Sequence, residues 1–128
     1  MLPRDLESFT PPRGWGWTVI APAGRAVPGA SRTAPSFAVS RDRLREAVLK
    51  VARAEPRTEL LAEEGDHLRF RIRSRLFGFP DLVCIRLVEP APGQVSLAIF
   101  SKARYGFHDL GVNRRRARRW LRAVTAEL

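Results

Sequence analysis

From His67 to Leu76 the chain alternates: Leu68, Phe70, Ile72 and Leu76 are interleaved with Arg69, Arg71, Arg73 and Arg75. A repeat of two residues sends successive side chains to opposite sides of an extended backbone. On a helix the same residues would scatter around the axis and bury nothing cleanly. This stretch therefore demands a sheet, with one face in a core and one lined by arginine. Acidic residues on a neighbouring strand, Glu59 and Glu63, are placed to neutralise part of that arginine face.

The surrounding segments follow from it. Thr58 to Glu63 reads as a strand closed by the turn Glu64-Gly65-Asp66. Phe77-Gly78-Phe79-Pro80 is an aromatic bend. Val83, Ile85 and Leu87 alternate to make a third strand, Pro90-Ala91-Pro92-Gly93 turns the chain, and Val95 to Ser101 forms a fourth. Links this short favour antiparallel neighbours. Leu44, Ala47, Val48 and Val51 recur at helical spacing, with Ser40 as N-cap, Asp42 in the first turn and Pro56 beyond the end; a helix is expected over 41–54. After Gly111, Asn113 is the expected N-cap of a helix from Arg114 to about Glu127, with Ala117, Trp120, Leu121, Val124 and Leu128 on its apolar face. The expected architecture is α+β: a two-layer sandwich, helix, four-stranded antiparallel sheet, helix, with both helices on one face.

Residues 1–39 are expected to form an irregular arm, and residues 40–128 a single α+β domain. Prolines at 3, 11, 12, 22, 28 and 35 deny the arm a long helix. A short strand is predicted around Trp17-Thr18-Val19-Ile20. Trp15 and Trp17 would share a face there, either anchoring the arm to the domain or offering an aromatic platform.

Charge and composition narrow the function. With 45% hydrophobic and 28% charged residues over 128 positions, the chain is in the globular class. No run reaches the roughly 18 apolar residues of a membrane-spanning helix. The opening MLPRDLESFTPP lacks the apolar stretch of a signal peptide. With the single cysteine, Cys84, these features lead to an expectation of a cytoplasmic protein in a reducing compartment. Net charge is +10, and residues 101–128 hold eight Lys/Arg against two Asp/Glu. An anionic partner is expected at the C-terminal end. The competing explanation is a general preference for arginine, which outnumbers lysine 21 to 2.

The densest cluster of polar and glycine residues is SKARYGFHDLGVNRRR, Ser101 to Arg116. It resembles the signature of the family known as domain of unknown function 1499: arginine-serine-x-serine-arginine-x-glycine, two residues, then aspartate-x-glycine-x-asparagine-arginine-x-arginine. Ser101, Arg104, Gly106, Asp109, Gly111, Asn113, Arg114 and Arg116 match. Phe100 stands where the first arginine is usual and Ala103 where the second serine is usual. Phe79-Pro80-Asp81 also resembles the family's lead-in, and the likeness covers about residues 40–128, without the cysteine-containing opening of many members. The resemblance implies a fold and a motif but no mechanism.

The residues of the motif allow two readings. As scaffold, Gly106 and Gly111 supply unusual backbone angles, Asp109 pairs with Arg104 or Arg114, Asn113 caps the helix and Arg116 covers part of the sheet edge. As a site, Ser101, Arg104, Asp109, Asn113, Arg114 and Arg116 surround a phosphate or carboxylate at the start of the last helix. Arginines in a first helical turn oppose the helix dipole, and an anion relieves that conflict. The expected function is thus a non-catalytic binding module for an anionic ligand or acidic partner. Nucleic-acid binding is the alternative, although no standard motif is present. A third possibility is a small-molecule enzyme using Asp109 and His108. His67 is expected to be solvated and Cys84 to be a buried, inert thiol. No metal-ligand spacing and no cofactor fingerprint is present, so neither metal nor cofactor is expected.

Overall fold

A computed structural model describes residues 2–74, 78–104 and 110–128. In chain order it contains β1 (Trp17–Ala21), β2 (Arg32–Thr33), α1 (Arg41–Ala54), β3 (Thr58–Glu64), β4 (His67–Arg73), β5 (Pro80–Ala91), β6 (Gln94–Ala103) and α2 (Val112–Glu127). The strands form one sheet in the order β2-β1-β6-β5-β4-β3.

The alternating stretch makes β4, paired antiparallel with β3 on one side and β5 on the other. Arg71 bonds Glu59 directly across the ladder at 2.5 Å, so one expected neutralisation is in place. Described structure in this strand ends at Ser74; Arg75 and Leu76 lie outside the described residues.

The sheet is mixed and six-stranded, rather than four-stranded and antiparallel. The two extra strands come from the N-terminal 39 residues. β1 pairs antiparallel with β6, Thr18 opposite Ser101 and Ile20 opposite Ile99. β2 runs parallel to β1. The reason lies in β6, whose residues from Val95 to Ser101 are all buried. A strand covered on both faces sits inside a sheet and needs a neighbour on each edge. β5 fills one edge and the predicted strand at Trp17 fills the other. β2 is too short for any periodicity and is fixed by backbone bonds, such as Ala34 N–H to the Ala21 carbonyl at 2.7 Å.

α1 has the expected bounds, and the Ser40 side chain accepts from the Arg43 N–H at 3.0 Å. Leu44, Ala47 and Val48 pack with Ala117, Trp120, Leu121 and Val124 of α2 on one face of the sheet. There the Trp120 ring meets Phe70 edge to face, with centroids 5.5 Å apart. Its indole N–H donates to Glu55 Oε1 at 2.8 Å, which satisfies the one polar atom of a buried ring.

The other face was expected to be open, and it is covered instead. Leu2, Leu6, Phe9 and Val27 of the arm pack on Val19, Ala21, Cys84, Val88, Ala98 and Phe100. Phe100, where the family signature has an arginine, makes an edge-on contact with Phe9 at 5.1 Å. This third layer corrects the expectation of two. It also corrects that for His67, which is only 6% exposed. The alternation placed His67 on the arginine face of β4 and said nothing of what would cover that face.

Candidate functional site

The junction of β6 and α2 carries the sequence signature. Ser101 shares the helix-bearing face of β6 with Leu97 and Ile99 and is itself buried. Its hydroxyl donates to Asn113 Oδ1 at 2.5 Å. The same oxygen accepts from Arg116 Nη1 at 3.0 Å, one turn further along α2. Arg116 Nη1 also reaches Asp81 Oδ2 at 2.9 Å, at the start of β5. Asn113 Nδ2 donates to the Gly16 carbonyl at 3.4 Å, and that carbonyl accepts from the Ala103 N–H at 2.7 Å. One buried asparagine thus ties β6, α2 and the segment entering β1 together.

Asn113 is therefore not the helix cap. The helix begins at Val112, and the cap position is Gly111 with φ 79°, with no side-chain cap hydrogen bond among the described residues. The left-handed angle suits glycine, and an added Cβ would sit 3.0 Å from Arg115 Nη1. An asparagine side chain caps a helix by accepting from nearby backbone N–H groups. Here Ser101 and Arg116 take that oxygen instead, because a buried carbonyl between two stronger donors is better satisfied there. Arg116 likewise lies beneath the surface in an ion pair, and does not cover the sheet edge.

The six expected site residues divide as follows. Ser101, Asn113 and Arg116 come together in one network. Arg104 is exposed at the end of β6, its N–H bonded to the Pro80 carbonyl at 3.1 Å. Arg114 is exposed on the first turn of α2. Asp109, with Gly106 and His108, lies outside the described residues. Asp81 was missed as the partner of Arg116, though the Phe-Pro-Asp lead-in contained it. Gly16 was missed entirely, and no sequence signal marks a carbonyl acceptor.

Outside this network, α2 presents a basic face. Arg114, Arg115 and Arg122 are exposed and Arg118 half-buried, and among the described residues none of the four pairs with a carboxylate. Arg119 is paired, with Glu55 at 2.6 Å. Arg115 also bonds the Leu110 carbonyl at 3.0 Å. A shallow depression of about 450 Å³ runs along this face between Val112 and Arg122. No acidic residue stands in the first turn of α2. Among the described residues no three metal-ligating side chains cluster, and no helix is long and apolar enough to cross a membrane.

Residues 23–124 match the family described as protein of unknown function (DUF1499). A search of curated proteins gave no match.

Proposed function

The chain belongs to the family of proteins of unknown function (DUF1499), and from that premise we propose that it is a non-catalytic binding module for an anion. The anion, a phosphate or carboxylate group of a larger partner, docks against the first turns of α2. The observation behind this is the set of Arg114, Arg115, Arg118 and Arg122, unpaired with carboxylates among the described residues, two of them in a helix turn whose dipole disfavours cations. In this reading Arg104 and Arg114 supply contacts to the anion and Asp109 orients an arginine. Ser101, Asn113 and Arg116 hold the shape of the junction beneath it.

A nucleic-acid backbone is the second reading, favoured by the length of the stripe. Arg114 to Arg122 spans about 12 Å of helix, enough to follow successive phosphates. Amide NMR of the full chain decides between them, with inorganic phosphate and a short DNA duplex as probes. The proposal expects phosphate to shift the amides of the first two turns of α2, and the quadruple Arg→Gln variant at 114, 115, 118 and 122 to abolish the shift. Unshifted amides with both probes would overturn it. Duplex binding that falls by about 0.9 log unit per log unit of salt for each phosphate contact supports the second reading, and a flat response removes it.

A further inference from the structure

The third layer builds a second basic site, far along the chain from the signature. A cleft of about 1100 Å³ opens where the arm crosses the β5 end of the sheet, lined by Arg4, Arg25, His67 and Arg86. Arg86 and His67 are directly opposite each other on β5 and β4. Arg4 and Arg25 arrive from the arm, with Arg25 Nη2 bonded to the Arg4 carbonyl at 3.3 Å and Arg86 Nη2 to the Leu2 carbonyl at 2.9 Å.

The carboxylates of the cleft form no ion pair with these arginines among the described residues, although Asp66 partly offsets the charge of Arg86. Asp66 pairs with Arg41 and Arg45, and Glu89 with Arg41. Glu64 lines the cleft, and among the described residues no ion pair joins it to Arg4, Arg25 or Arg86. The Arg86 guanidinium is held below its usual pKa by burial first and then by Arg4, with Asp66 opposing and Arg25 adding to the repulsion. Two polar atoms are buried here without a hydrogen-bond partner among the described residues, Arg86 Nε and His67 Nε2. Buried polar groups are satisfied in the great majority of cases, and a set of repelling cations is relieved by a counter-charge. The His67 imidazole stays neutral near pH 7, so it offers a hydrogen bond rather than charge.

We propose that this cleft is an oxyanion site for a small metabolite bearing a phosphate or carboxylate group, gripped by Arg4, Arg25 and Arg86, with the His67 imidazole beside it. At about 1100 Å³ the cleft slightly exceeds the usual range of small-molecule pockets, which leaves room for a ligand larger than its anionic group. The site shares no residue with the α2 face, and the two proposals stand or fall separately.

The experiment titrates the full chain with inorganic phosphate and, separately, with citrate, following the His67 imidazole resonances by NMR. At least one probe is expected to shift them. The double variant R4Q/R25Q, at an exposed and a half-buried position of the arm, is expected to weaken that probe at least about tenfold. The variant R118Q/R122Q on α2 is expected to leave it unchanged. A response to phosphate alone identifies a phosphate site, and a response to citrate alone a carboxylate site. Silent His67 resonances with both probes overturn the proposal, as does equal weakening by the two double variants, which would mean diffuse attraction to net charge.

Discussion

Arg116 on α2 and Asp81 at the start of β5 meet at 2.9 Å with side chains only 10% and 17% exposed. They are 35 positions apart and belong to two separate pieces of the signature. Asn113 bonds the same guanidinium nitrogen, so the pair is held from a second side. Arg116 Nε is buried without a hydrogen-bond partner among the described residues.

Removing one partner takes this ion pair away from a mostly buried charge. Arg116→Ala or Asp81→Asn should each cost roughly 3 kcal/mol, the low end for a broken buried pair. The double variant Arg116→Met with Asp81→Leu should be milder than the sum of the single changes. Denaturant unfolding of the four proteins checks this. If each single variant unfolds like the wild type, the pair is not holding the junction.

His67 makes stability depend on pH. Its pKa falls from the ordinary 6.5 to about 4, through burial first and then repulsion by Arg86 and Arg69, with Glu64 opposing. A depressed histidine pKa means that the unfolded chain binds the proton first. The contribution is therefore whole above pH 6.5 and is lost as pH falls towards 4. At roughly 1.4 kcal/mol per pH unit, the full loss is a few kcal/mol. His67→Gln should flatten this part of the profile, seen as a smaller drop in unfolding free energy between those two pH values. A variant with the same slope as wild type would contradict it.

The arm should behave as part of the core. Leu6 is fully buried and Cys84, beneath the same layer, is 4% exposed, with burial pushing its thiol pKa up. Leu6→Ala should cost about 2–5 kcal/mol and speed the reaction of Cys84 with a thiol reagent under native conditions. A reaction rate unchanged by Leu6→Ala would show that the arm does not shield the thiol.

The regular elements were legible because their signals are local. Ser40 with Asp42 and the apolar spacing up to Val51 marked α1, and the alternation at Leu68, Phe70 and Ile72 marked β4. In β6, Leu97 to Phe100 are apolar on both faces, as suits a strand with a neighbour on each edge. β2 and the path of Leu2, Leu6 and Phe9 carried no such pattern. Two residues of strand have no period, and an irregular segment is held by whatever surface it meets.

The candidate site divides the same way. From its sequence alone this protein declared α1, β4 and the arginine face of α2, since spacing and charge are properties of neighbours along the chain. Only the tertiary structure made Asn113 a buried acceptor rather than a cap, gave Arg116 to Asp81, and brought Arg4 and Arg25 to Arg86 beside His67. A polar side chain takes the best partner available in the folded chain, and those partners lay tens of residues away.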